Sequence, residues 1–106
     1  MSDHALAEGL AGLASRVENL VHLTEGDDSR TFQQQEDRLA KLALVVIAQE
    51  MDATNAAYQN AVSRVRAAID TIGAADKKIQ NVAKVIQLVA KALDVAEKVA
   101  EKAAGV

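Results

Sequence analysis

What most constrains this chain is the scarcity of residues that break a helix. The sequence contains no proline, and residues 27–72 contain no glycine either. Sheet-rich folds reverse direction often, and proline and glycine are the residues that favour those reversals. A chain this poor in both reads as all-helical.

The glycines that remain act as punctuation. Gly26, followed by Asp27, Asp28 and Ser29, closes a first helix expected over about 3–24. Ser2 or Asp3 would cap its start, and Asp28 or Ser29 the start of the next. Within that helix Leu6, Leu10, Leu13, Val17 and Leu20 step alternately by four and three residues, which makes one apolar seam. Gly9 and Gly12 flank the seam and weaken the helix unless a neighbour comes close there. A second helix is expected over 29–72, because Leu44, Ile47, Met51, Thr54, Tyr58, Val62, Val65, Ile69 and Ile72 hold one helical phase. Unbroken, it would be about 65 Å long at 1.5 Å per residue. Its weak point is Asp52-Ala53-Thr54-Asn55, where Asp, Thr and Asn disfavour a helix interior and suit a cap. A break there would make the chain a four-helix bundle.

Gly73 is the second terminator, and Asp76 is placed to cap a last helix over 76–104. Four seven-residue blocks fill it, 77–83, 84–90, 91–97 and 98–104, each beginning with lysine. Their third and sixth places are Ile79, Val82, Ile86, Val89, Leu93, Ala96, Ala100 and Ala103, a seam with no gap. A strict repeat of seven favours packing along another helix. Val85, Leu88, Ala92, Val95 and Val99 add a second apolar strip beside it.

Composition narrows the class further. Half the residues are hydrophobic, yet Phe32 and Tyr58 are the only aromatics, so the core is built from small aliphatic groups. There is no cysteine, hence no disulfide framework or thiolate chemistry, and a reducing cytoplasm is the expected setting. Export by a route that needs no signal peptide stays compatible with this. The opening residues lack the basic and apolar segments of a signal peptide. The longest apolar run, Leu42 to Ala48, is far short of the roughly 20 residues that cross a bilayer. Net charge is −3, with six basic and eleven acidic residues in 1–74 against six and four in 75–106. That imbalance is too weak for a nucleic-acid surface, and it favours the last helix lying against acidic neighbours.

The residues that carry chemistry do not assemble into a reaction centre on paper. Glu18, His22 and Glu25 share one helix face, which is metal-ligand spacing, but no second helix offers a matching Glu-x-x-His pair. The pairs Asp27-Asp28 and Glu36-Asp37 sit at helix starts, where carboxylates complement the helix dipole. No nucleophile elbow and no glycine-rich phosphate loop is present. The chain is expected to be no enzyme, with no catalytic residue, cofactor or metal.

Two segments point to interaction instead. Leu39 to Ala48 is apolar almost all round for about two turns, and such a helix must be covered on all sides. The heptads after Gly73 present two strips, more than one neighbour covers. Leu39, Leu42, Val45, Val46, Ile79, Val82, Ile86, Val89 and Leu93 are therefore the expected interaction surface. The size of the chain is similar to that of the small WXG-type secreted hairpin proteins, though it has no Trp, and its Ala-rich amphipathic helices resemble phasins in composition. Neither likeness assigns any residue.

The architecture expected is an antiparallel bundle of three helices, 3–24, 29–72 and 76–104, in one domain. The function expected is a non-enzymatic oligomerisation and protein-interaction module, an adaptor, small chaperone or structural component, with a homodimer as favoured partner. The alternatives are an amphipathic protein bound to a lipid or granule surface and a small immunity or secretion-partner protein.

Overall fold

The computed structural model describes residues 4–49, 51–52, 54–73 and 81–103. Four α-helices make up the described chain: α1 (Ala5–Leu23), α2 (Gly26–Ile47), α3 (Ala56–Ile72) and α4 (Val82–Ala103). Among the described residues there is no strand. The all-helical expectation holds, and the number of helices is four rather than three.

The expected continuous helix over 29–72 is broken where its weak point lies. The Asp52 carboxylate accepts the Thr54 backbone N–H at 2.9 Å and the Thr54 hydroxyl at 2.6 Å. Asn55 then caps α3 by accepting the N–H groups of Ala57 at 2.8 Å and Tyr58 at 3.4 Å. Short polar side chains thus take over backbone donors that a helix end leaves orphaned. No Gly or Pro is needed for the reversal, which is why their absence failed to exclude it. A shared phase also does not make one helix here, for a second reason. The inward face of α2 is Phe32, Gln35, Leu39, Leu42 and Val46, whereas Leu44 and Ile47 point outward. The apparent stripe joined an exposed row of α2 to the row of α3 that holds buried Tyr58, Val65 and Ile72.

The α1–α2 junction also differs in detail. Gly26 has a positive φ of 64°, but it opens α2 instead of capping α1, and α2 begins earlier than Asp28 or Ser29. The last carbonyls of α1 are met by hydroxyls. Thr24 Oγ1 donates to Leu20 O at 2.7 Å and Ser29 Oγ to Val21 O at 2.8 Å. At the other terminator Gly73, with φ of 68°, closes α3 as expected and its N–H donates to Ile69 O at 2.9 Å. The caps expected at Ser2, Asp3 and Asp76 lie outside the described residues.

Helix directions follow from the ties between them. The Leu6 N–H donates to Tyr58 Oη at 3.1 Å, so α1 and α3 start at the same end and run parallel. Gln35 Nε2 donates to Ile86 O at 3.0 Å and Gln49 Nε2 to Ala100 O at 3.1 Å. The same spacing separates the two glutamines and the two carbonyls, so α2 and α4 run parallel in one register. α1 packs on α2 and α3, and α4 on α3 and α2. Around the bundle the order is therefore α1, α2, α4, α3, and the chain passes from α2 to α3 across a diagonal. The bundle measures 40 × 21 × 17 Å.

The core is one aliphatic cluster. Leu6, Leu10, Leu13, Val17 and Leu20, the seam read in α1, are all fully buried, and they meet Phe32, Leu39, Val65, Val89 and Leu93. At Gly9 a Cβ would stand 3.0 Å from Val65 Cγ1, so glycine lets α3 close on α1 there. In α4 the inward face lies between the two strips read from the heptads, with Val85, Val89, Ala92, Leu93, Ala96 and Ala100 buried. Both strips contribute buried residues.

Candidate functional site

Among the described residues, one group of large aliphatic side chains lies outside the core. Leu44 is 73% exposed, Val45 50% and Ile47 53%. All three sit in the last turns of α2, on the segment whose all-round apolar character demanded cover. The chain covers only one side of it. Leu39, Leu42 and Val46 turn into the core, and their neighbours on the opposite side face outward.

Leu44 and Ile47 border a groove between α1 and α2. Its floor is made of small groups, Ala7, Ala11 and Ala14 from α1 with Ala40 and Ala43 from α2. Alanine on both helices keeps side chains short, so the groove is open and apolar. Its rim carries Glu8 and Glu18 from α1 and Glu36 from α2, and no Lys or Arg lines it. None of these three glutamates joins an ion pair among the described residues.

The opposite side of the molecule has the reverse charge. Lys84, Lys91 and Lys98 repeat every seven residues along α4, all exposed. Lys102 continues the row and, with Val99, borders a hollow shared with Ala57 and Tyr58. That contact places the lysine row on the α3 side of α4. Arg64 is exposed on α3. The acidic residues of α4 lie on its other flank, where Asp94 and Glu97 pair with Arg38 of α2. α4 thus has an acidic edge used inside the bundle and a basic edge that no carboxylate meets among the described residues.

The residues expected to form the interaction surface are divided by this arrangement. Leu39, Leu42, Val46, Val89 and Leu93 are buried in the chain's own core, and Val82 and Ile86 are half-buried against it. Ile79 lies outside the described residues. Val45 is exposed. Leu44 and Ile47 enter the sequence reading by name only as members of one helical phase, although their position within the 39–48 segment is the signal that finds them.

Among the described residues no group of three or more His, Cys, Asp or Glu could hold a metal ion, and Glu18, His22 and Glu25 are simply exposed along α1 and its end. The hollow that Tyr58 borders also takes Met51, Asp52 and Asn55. The hydrogen bonds of Asp52 and Asn55 there go to backbone and to Thr54, which holds the Asp52 carboxyl below its ordinary value of 3.8. No described helix is long and apolar enough to cross a membrane.

The class defined by fold and surface is a four-helix bundle with an apolar, acid-rimmed groove on one side and a lysine row on the other. Compared with family models, curated proteins and solved structures, the chain matches none.

Proposed function

We propose that this chain is a non-enzymatic helical module that associates with other copies of itself through the outward side of α2. The observation that carries this reading is the exposure of Leu44, Val45 and Ile47 together. Single exposed aliphatics are ordinary on a protein surface, but here three fall within four residues, and two of them, Leu44 and Ile47, border an alanine-floored groove. Covering such an area removes roughly 25 cal/mol per Å² of apolar surface from contact with water. A neighbour that packs there needs to move nothing, because the groove already exists in the single chain.

The test is light scattering across the micromolar range. The wild-type chain is expected to exceed the monomer mass as concentration rises, and Leu44→Gln with Ile47→Gln is expected to return it to monomer. Both side chains are exposed, so helix content should stay constant. A wild type that stays monomeric throughout contradicts the proposal.

A further inference from the structure

The two charged surfaces of the bundle bear on how copies would meet. This step rests on the self-association reading and adds the partner surface. The commonest arrangement of two identical chains is a twofold pair in which one patch meets itself. For the groove on α1 and α2 that arrangement gathers Glu8, Glu18 and Glu36 of both copies around one apolar contact, and like charges brought together oppose association. The lysine row removes that conflict. Lys84, Lys91 and Lys98 are exposed, unpaired among the described residues, and run along a helix whose α3 side also carries half-buried Leu88, Val95 and Val99.

We infer that copies of this chain dock head to tail, the groove between α1 and α2 of one copy receiving the lysine-bearing edge of α4 of the next. Leu44 and Ile47 then meet Leu88, Val95 and Val99, and the three rim glutamates meet the three lysines. Opposite charges flank an apolar centre, the usual division between the core and rim of a protein interface. The long side of the bundle, 40 Å by about half that in width, accommodates the roughly 800 Å² per partner of a standard interface. Because the two surfaces are on different sides of the molecule, a docked pair still has one groove and one lysine row unsatisfied. The assembly therefore grows beyond two copies, into a chain or a closed ring.

The experiment uses two charge-reversed variants of the whole chain. One carries Glu8→Lys, Glu18→Lys and Glu36→Lys; the other carries Lys84→Glu, Lys91→Glu and Lys98→Glu. Sedimentation velocity should show assemblies larger than a dimer for the wild type and monomer for each variant alone. Mixed in equal amounts, the two variants each still offer one native surface, and those surfaces carry opposite charges. The reversed groove of one also complements the reversed row of the other, so the mixture is expected to rebuild assemblies larger than a dimer. Circular dichroism checks that each variant keeps its helix content, and Glu→Gln and Lys→Gln versions, which delete charge without reversing it, should weaken assembly in the same direction. If the lysine variant assembles as the wild type does, head-to-tail docking is overturned while self-association stands. A mixture that forms no complex overturns it too. A wild type that is monomeric overturns both readings, and binding of that monomer to anionic phospholipid vesicles would assign the lysine row to a lipid surface instead.

Discussion

Tyr58 is a cap for a helix it does not belong to. Its hydroxyl accepts the backbone N–H of Leu6 at 3.1 Å, in the first turn of α1, where His4 at the N-cap position makes no side-chain bond. The first four N–H groups of a helix have no partner within it, and here one of them is satisfied from α3. Both residues are buried, so water cannot replace the hydroxyl. Tyr58→Phe is expected to lower stability by about 1–3 kcal/mol, the penalty of a buried donor left unmatched. Urea denaturation should show a lower midpoint with an unchanged slope.

The two glycines of α1 should respond in opposite senses to added bulk. At Gly12 a Cβ would lie 3.6 Å from Arg16 Nη1 and 3.9 Å from Ile69 Cδ1, ordinary contact distances. Gly12→Ala is expected to stabilise the bundle by about 0.5–1 kcal/mol through helix propensity. At Gly9 even the first atom of a side chain would stand 3.0 Å from Val65 Cγ1, and a branched one pushes α3 away. Gly9→Val should destabilise by about 1–3 kcal/mol. Thermal unfolding of the two variants side by side checks both signs.

The α2–α3 junction is held by short polar side chains, and its two acceptors can be told apart by pH. Asn55→Ala removes the α3 cap and should cost about 1 kcal/mol at any pH. The Thr54 hydroxyl and N–H hold the Asp52 carboxyl below 3.8. A carboxylate whose pKa is depressed in the folded state stabilises that state above its unfolded value, and this contribution is lost as pH falls through the lowered folded value. An NMR titration should therefore place the Asp52 midpoint on the acid side of an unstructured aspartate. Asp52→Asn should flatten that part of the stability profile between neutral and strongly acid pH.

Among the described residues Gln35 is the buried polar one, and its amide is half used. Nε2 donates to Ile86 O, while Oε1 finds no protein partner among the described residues. Replacing the amide with an apolar group removes both at once, so Gln35→Leu is expected to leave stability within about 1 kcal/mol of wild type. Gln35→Glu removes the donor and sets a carboxylate against a carbonyl, and should destabilise by at least about 2 kcal/mol at neutral pH. That loss should shrink as pH falls and the carboxyl takes up a proton. Chemical denaturation at two pH values reads both variants.

How legible all this was in the sequence depended on the range of the forces involved. Local signals read true: the seam of Leu6, Leu10, Leu13, Val17 and Leu20 is buried throughout, Gly73 ends a helix, and the Asp52–Asn55 segment was marked as the place a cap would form. The helix breaks there although its apolar residues keep one phase, because hydrophobic phase cannot tell a core row from an exposed one. Leu44 and Ile47 have the spacing of core residues and lie on the surface. What covers a given side of a helix is decided by the other helices. The order α1, α2, α4, α3 depends on the diagonal passage from α2 to α3, which no residue pattern announces. The surface was visible in outline, as an apolar segment too wide for its neighbours. The opposition of glutamate groove and lysine row was not, because those residues lie on different helices until the chain is folded.

Self-association requires the outward side of α2 to be a contact between copies. Methyl NMR followed from micromolar to millimolar concentration tests this most directly. The Leu44 and Ile47 methyl signals should shift and broaden as concentration rises, while those of Leu10, Leu13 and Leu93 in the core stay fixed. Signals of Leu44 and Ile47 that do not move over that range would contradict it.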